Sequence, residues 1–179
     1  MRRINLITGG VRSGKSRYAL DIGGSMPEPR LFIATGIALD EEMNRRIDRH
    51  RSERLGLGWQ TIEEQTDLIG VLKDQAHASS ILVDCLGLWV NNLLFHEGMD
   101  AIDEDRIARD CMAIIDLCHN QQGDLVLVTN ETGMGIMPEN ALARRFGDVL
   151  GRCNQTFARH ATRVVMMISG LPMELKNPG

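Results

Sequence analysis

Gly9-Gly10-Val11-Arg12-Ser13-Gly14-Lys15-Ser16 concentrates more usable chemistry than any other stretch of the chain. It fits the spacing G-x-x-x-x-G-K-[ST] and stands between an aliphatic run and an amphipathic one, the strand-then-helix context this motif needs. Glycines let the backbone curl and turn successive N–H groups inward, and a helix N-terminus adds the positive end of its dipole. Lys15 would neutralise the β- and γ-phosphates of a nucleoside triphosphate, and the Ser16 hydroxyl would ligate Mg²⁺. Arg12, inside the loop, either adds a phosphate contact or stays solvated.

A second group follows from position. Asp84 closes the run Ser79-Ser80-Ile81-Leu82-Val83, where a carboxylate beside the loop would reach Mg²⁺ directly or through water. An Asp ending a strand before a helix also caps helices, and both roles can coexist. Asp84-Cys85-Leu86-Gly87 also spells D-x-x-G, a spacing found in guanine-nucleotide switches. Asn-Lys-x-Asp, which reads the base in such switches, is missing, and Asn130-Glu131-Thr132-Gly133 stands after the run Leu125–Thr129 instead.

Two further segments are unusual. Residues 41–54 are dense in charge around one histidine, His50. At helical spacing Met43, Ile47, His50 and Arg54 share a face, with Asp40 as cap and Glu41 and Glu42 suited to the first turn. Thr129 to Asn140 forms a glycine-bearing loop leaving a strand, with Pro138 set to start the next helix.

The elements that must position these groups alternate. Aliphatic runs predict strands at about Ile4–Thr8, Leu31–Thr35, Trp59–Glu63, Ile81–Asp84, Leu125–Thr129 and Val164–Ser169. Amphipathic stretches predict helices at about Lys15–Ile22, Glu41–Arg54, Thr66–Ala76, Leu86–Phe95, Glu104–Asn120 and Glu139–His160, the last interrupted by Gly147 and Gly151. Several strands are apolar on both faces, as in a parallel sheet covered by helices on both sides. The expectation is an α/β fold of the P-loop NTPase, RecA-like kind, in which ligands gather at the carboxyl ends of strands.

Composition sets the bounds. A chain of 179 residues suits a single domain, 1–179, and its 43% hydrophobic and 25% charged content is that of a globular protein. A net charge of −4 leaves no basic footprint for nucleic acid. The apolar reach at the start is too short for a signal peptide or a membrane span, so a cytoplasmic protein without membrane insertion is expected. Cys85, Cys111, Cys118 and Cys153 lack metal-ligand spacing and read as buried thiols.

Taken together, Ile7 to Ser16, Phe32-Ile33-Ala34-Thr35-Gly36, Arg46-Ile47-Asp48-Arg49-His50-Arg51, Trp59-Gln60-Thr61-Ile62-Glu63 and Val128 to Pro138 resemble the bifunctional adenosylcobinamide kinase/adenosylcobinamide-phosphate guanylyltransferase family of cobalamin biosynthesis. The histidine helix and the Asn-Glu-x-Gly-x-Gly-Ile-x-Pro loop are the specific parts. The resemblance implies an enzyme that uses ATP or GTP to phosphorylate the corrinoid adenosylcobinamide. GTP then yields adenosylcobinamide-GDP and pyrophosphate through a guanylylated histidine, which maps onto His50. It implies nucleotide contacts at Gly9, Gly10, Val11, Arg12, Ser13, Gly14, Lys15, Ser16, Ala34, Thr35, Gly36, Arg51, Ser52, Glu53, Arg54, Glu63 and Asp84, Mg²⁺ on Ser16 and Asp84, and a homotrimer. For Arg51 to Arg54 and for Glu63 the rival reading is solvated charge.

A nucleophilic imidazole must be neutral, and an unperturbed one, with a pKa of about 6.5, is mostly neutral at about pH 7. Arg46, Arg51 and Arg54 would depress that pKa and counter phosphate charge. His77, His96, His119 and His160 lack such surroundings. Two rivals stay open: a kinase in which His50 is structural, and a guanine-nucleotide switch.

Overall fold

A computed structural model describes residues 1–37 and 41–177; within residues 41–54 the side chains of Glu42, Met43, Asn44, Arg46, Arg49, His50 and Glu53 lie outside that description. The expected cap Asp40 also lies outside the described residues. The strands are β1 (Arg3–Gly9), β2 (Arg30–Ala34), β3 (Trp59–Glu63), β4 (Ser80–Asp84), β5 (Asp124–Val128), β6 (Arg163–Ile168) and β7 (Leu171–Lys176). The helices are α1 (Lys15–Gly23), α2 (Glu41–Arg54), α3 (Leu68–Asp74), α4 (Leu86–Glu97), α5 (Glu104–His119) and α6 (Ala141–His160).

The strands form one seven-stranded sheet in the order β3-β2-β4-β5-β1-β6-β7. Neighbours from β3 to β6 pair in parallel, and β7 closes the edge antiparallel to β6. β5 therefore lies between the strand that leads into the glycine loop and the strand that ends in Asp84, in register Val128 with Ile7 and with Asp84.

Alternation of side chains along each strand sorts the core into two layers. Ile4, Leu6, Leu31, Ile33, Ile81, Val83, Leu125 and Leu127 pack on one face with the apolar stripes of α3, α4, α5 and α6. Ile7, Phe32, Leu82, Val126, Val128, Val165 and Met167 pack on the other with Ala19 and Leu20 of α1. Strands buried on both faces explain the unbroken aliphatic runs. The expected α/β architecture is the one observed.

Several boundaries differ, each for a local reason. The third helix starts at Leu68, because Asp67 caps it by accepting from the Gly70 N–H at 2.8 Å. Glu64 turns the chain just ahead by accepting from the N–H groups of Thr66 and Asp67. The last helix starts at Ala141 rather than Glu139, with Asn140 as the cap, bonded to the Ala143 N–H at 3.1 Å; Pro138 stays outside. It runs unbroken through Gly147 and Gly151, since burial of Val149, Leu150, Cys153 and Phe157 outweighs two glycines at about 1 kcal/mol each.

β7 was not expected. Its six residues are all exposed, and Pro172, Glu174 and Lys176 blunt an unpaired edge. Arg163 bridges to Glu174 and donates to the Tyr18 hydroxyl at 2.9 Å, tying this edge to α1. Among the described residues no helix is long and apolar enough to cross a membrane.

Candidate nucleotide-binding site

β1 runs straight into the glycine loop, and two of its glycines are required by geometry. Gly9 has φ 146°, and a Cβ there would lie 2.5 Å from the Met167 carbonyl oxygen. Gly14 sits in the left-handed region at φ 93° as the N-cap of α1, a conformation that costs a side-chain-bearing residue about 1–2 kcal/mol. The β6–β7 turn braces the loop, with the Gly170 N–H donating to the Ser13 carbonyl at 3.0 Å.

Lys15 is 8% exposed, and its Nζ donates to the Gly10 carbonyl at 2.7 Å, folding the side chain back over its own loop. Burial lowers its pKa, opposed by the negative charge of Asp84 and by Cys85. An ammonium held in this way can exchange a neutral carbonyl partner for anionic phosphate oxygens. Ser13 Oγ is also buried and has no hydrogen-bond partner among the described residues.

The loop opens into a cleft of about 440 Å³ lined by Val11, Arg12, Ser13, Gly14, Lys15 and Ser16 on one side and by Asp84 and Cys85 at the end of β4. Strand parity explains which other residues join them. Phe32 and Ala34 continue the α1-side face of β2, Asp84 that of β4, Glu63 that of β3 and Asn130 that of β5, and all five line the cleft.

Thr35 has the opposite parity and is fully buried. Its hydroxyl donates to the Cys85 carbonyl and accepts from the Cys85 N–H, both at 2.8 Å. Its own N–H donates to the Asp84 carbonyl at 3.2 Å, and its carbonyl accepts from Asn92 Nδ2 at 2.8 Å. Thr35 therefore fastens the end of β4, and with it the Asp84 backbone, to β2, with its own backbone groups already taken. The N-cap of α4 is Cys85, so the capping role considered for Asp84 is not the one the fold uses. Burial pushes the Cys85 thiol up to about 12, which keeps it protonated and inert.

The far wall belongs to α2. Ile47, Arg51 and Arg54 line the cleft, and Ile47 approaches Gly36, which is itself a lining residue. The Arg54 guanidinium lies 3.8 Å over the ring of Phe32, a cation–π contact within a buried setting. Arg51 is bridged to Glu63, and the bond and charge of that carboxylate raise its pKa. Ser52 instead turns back to the Asp48 carbonyl at 2.8 Å, is exposed, and does not line the cleft. The side chains of His50 and Glu53 lie outside the described residues.

Of the expected nucleotide contacts, Val11 to Ser16, Ala34, Gly36, Arg51, Arg54, Glu63 and Asp84 thus meet in one cavity. The expected contacts left out Arg17, Phe32, Ile47, Leu88 and Asn130, which also line it. Counting strand parity outward from the buried positions would have found Phe32 and Asn130. The segment Thr129–Asn140 divides: Asn130 enters the cleft, whereas Met134, Ile136 and Met137 are 77%, 98% and 70% exposed.

Ser16 and Asp84 both line the cleft and offer it a hydroxyl and a carboxylate. Two hard oxygen donors, with phosphates and water to complete the shell, suit Mg²⁺. Among the described residues no group of three or more His, Cys, Asp or Glu side chains is gathered to hold a metal without a substrate.

The fold is shared with solved structures of an ATPase domain and of a recombinase. One solved ATPase domain matches with a TM-score of 0.57 at 9% identity, over 92% of this chain and 69% of that one. The RadB recombinase matches with a TM-score of 0.52 at 13% identity, over 92% of this chain and 73% of that one. In sequence, a Pseudomonas aeruginosa protein named bifunctional adenosylcobalamin biosynthesis protein CobP is 40% identical over 96% of both chains. A Salmonella typhimurium protein named bifunctional adenosylcobalamin biosynthesis protein CobU is 40% identical over 96% of this chain and 98% of its own. Residues 5–175 match the family described as cobinamide kinase / cobinamide phosphate guanyltransferase, and this chain belongs to that family.

Proposed function

We propose that the cleft runs two successive transfers on one corrinoid, adenosylcobinamide: phosphorylation by ATP or GTP, then transfer of GMP from GTP to the new phosphate by way of His50. The observation that carries this reading is the meeting, in one cavity, of the phosphate loop and Asp84 with Arg51, Arg54 and Glu63. A triphosphate gripped at the loop extends its nucleoside toward α2. Ile47 and Arg54 line the cleft three residues before and four residues after position 50. The reading that helical spacing puts His50 on that same stripe is what this scheme rests on.

In the first transfer the loop N–H groups and Lys15 neutralise the triphosphate, and Ser16 and Asp84 would hold Mg²⁺. The ion supplies further charge neutralisation on the phosphates. In the second, a neutral imidazole attacks the α-phosphorus of GTP and pyrophosphate leaves with the electron pair of the broken P–O bond. The corrinoid phosphate then attacks the phosphoramidate, the P–N bond breaks, and the imidazole is restored. Splitting one displacement into two lets a single face of the cleft serve both steps. We further propose a homotrimer working in the cytoplasm, with the corrinoid in a groove between subunits.

Incubation with GTP labelled at the α-phosphate tests the scheme. The expected result is acid-labile label on the protein, absent in His50→Ala and discharged by corrinoid phosphate. Phosphorylation of the corrinoid without any protein label would leave only a kinase, and binding of GTP with neither product would leave a switch.

A further inference from the structure

Asn130 is a polar side chain of the cleft that no step above employs. It stands at the exit of β5, the strand between β1 and β4, and so between the glycine loop and Asp84. Its backbone is fixed on two sides. The N–H of Thr129 donates to the Ile7 carbonyl at 2.9 Å and that of Glu131 to the Gly9 carbonyl at 3.0 Å. From α6, Asn154 accepts from the Thr129 hydroxyl at 2.7 Å and donates to the Asn130 carbonyl at 3.0 Å. Alternation then commits the Asn130 carboxamide to the cleft face, in series with Val126 and Val128.

The carboxamide rests over the first turn of α4, where Gly87 leaves room for it. A Cβ at Gly87 would lie 3.2 Å from Asn130 Nδ2. The glycine that completes D-x-x-G thus has a local use in this chain, which is to seat an amide. The neighbouring acid, Glu131, is engaged elsewhere, accepting from the Gly133 N–H of its own loop at 3.2 Å.

A neutral donor between Lys15 and Asp84 suits a site where negative charge spreads over the oxygens of a phosphoryl group in flight. A carboxylate there would repel it. We propose that Asn130 Nδ2 donates a hydrogen bond to the γ-phosphoryl group during its transfer, making Asn130 a catalytic residue of the kinase step. In that step the bond from γ-phosphorus to the bridging oxygen breaks and leaves its electron pair on the nucleoside diphosphate. The acceptor oxygen bonds to phosphorus and gives its proton to water, and Asn130 gains and loses nothing. The inference rests on the triphosphate reading of the cleft.

Three variants, assayed for γ-phosphate transfer to the corrinoid alcohol and for self-labelling from α-labelled GTP, test it. Asn130→Ala is expected to lower kcat for phosphate transfer ~10²-fold, as loss of one preorganised donor does. KM for the triphosphate and the self-labelling rate should each stay within about threefold of wild type. Asn130→Asp keeps the shape and loses the donor, so it should be at least as slow as Asn130→Ala. Gly87→Ala touches no substrate but displaces the amide, and should slow phosphate transfer about tenfold while Tm holds or rises, alanine being the better helix former. Near-wild-type transfer in Asn130→Ala or Asn130→Asp would overturn the assignment. So would an equal loss of both activities with a lowered Tm, which marks a structural role. Wild-type protein that moves no γ-phosphate to the corrinoid sinks the function itself, a failure distinguishable because it precedes any variant.

Discussion

The two ends of the cleft are built by different means. At the phosphate end, the loop, Asp84 and Asn130 are held by backbone hydrogen bonds from β1, β2, β5 and the β6–β7 turn, and Lys15 is nearly buried. At the other end, α2 meets the sheet through side chains: Ile47 near Gly36, Arg51 against Glu63, Arg54 over Phe32. The first construction suits phosphoryl transfer, where positioning and charge do the catalysis. The second leaves one wall dependent on a few contacts, of which the Arg51–Glu63 pair is half exposed and so worth little to folding. Damage to the phosphate end should therefore appear in the rate of phosphate transfer, and loss of the contacts that dock α2 on the sheet in affinity or local stability.

The largest effect expected is at Lys15. Lys15→Met should reduce phosphate transfer by ~10²–10³-fold, the range for loss of a single preorganised stabiliser, and should remove the rise in Tm that triphosphate gives the wild type. The same change should not destabilise the nucleotide-free protein. Burial lowers the folded-state pKa of Lys15 below its ordinary 10.5, so between those two values the unfolded chain binds the extra proton. Stability from this group therefore rises with pH across that window, and at neutral pH the buried charge is a cost. Denaturation of wild type and Lys15→Met at pH 7 and near pH 10 would show the difference narrowing. A variant that is much less stable at pH 7 would break the comparison, because Lys15 would then be structural.

Next is Arg54. Arg54→Ala removes a cation–π contact of about 2 kcal/mol in a desolvated setting, and is expected to lower stability by that order and weaken nucleotide binding about tenfold. Calorimetry and chemical denaturation read both. A fall in kcat with binding unchanged would shift Arg54 into the transfer chemistry and erase the contrast between the two ends.

The smallest effect belongs to the exposed pair. A double-mutant cycle on Arg51→Ala and Glu63→Gln should give only a small coupling that fades with added salt, because both side chains are half exposed. A coupling several times larger would mean that the α2 wall is as firmly built as the phosphate wall. Cys85, pushed up to about 12 and 8% exposed, is expected to resist alkylation at pH 8 with or without nucleotide, as mass spectrometry can check.

What could be read from the chain directly was whatever is encoded locally. The glycine loop is eight contiguous residues whose spacing carries its conformation, and the two-faced aliphatic runs announce buried parallel strands. The histidine helix and the Asn-Glu loop, with the motifs around them, were enough to indicate the family. β7 escaped because an exposed edge strand has no buried face to impose a pattern, and Leu171, Met173 and Leu175 all remain open to solvent.

Tertiary structure alone decided which of the scattered residues share a cavity. Asn130 shares a cleft with Lys15 and Asp84 because β5 is inserted between β1 and β4, an order no local pattern records. Thr35 and Ala34 are adjacent in the chain, yet one fastens the end of β4 and the other lines the cleft. Neighbouring strand residues face opposite sides of a sheet, and only the assembled sheet determines which side holds the site.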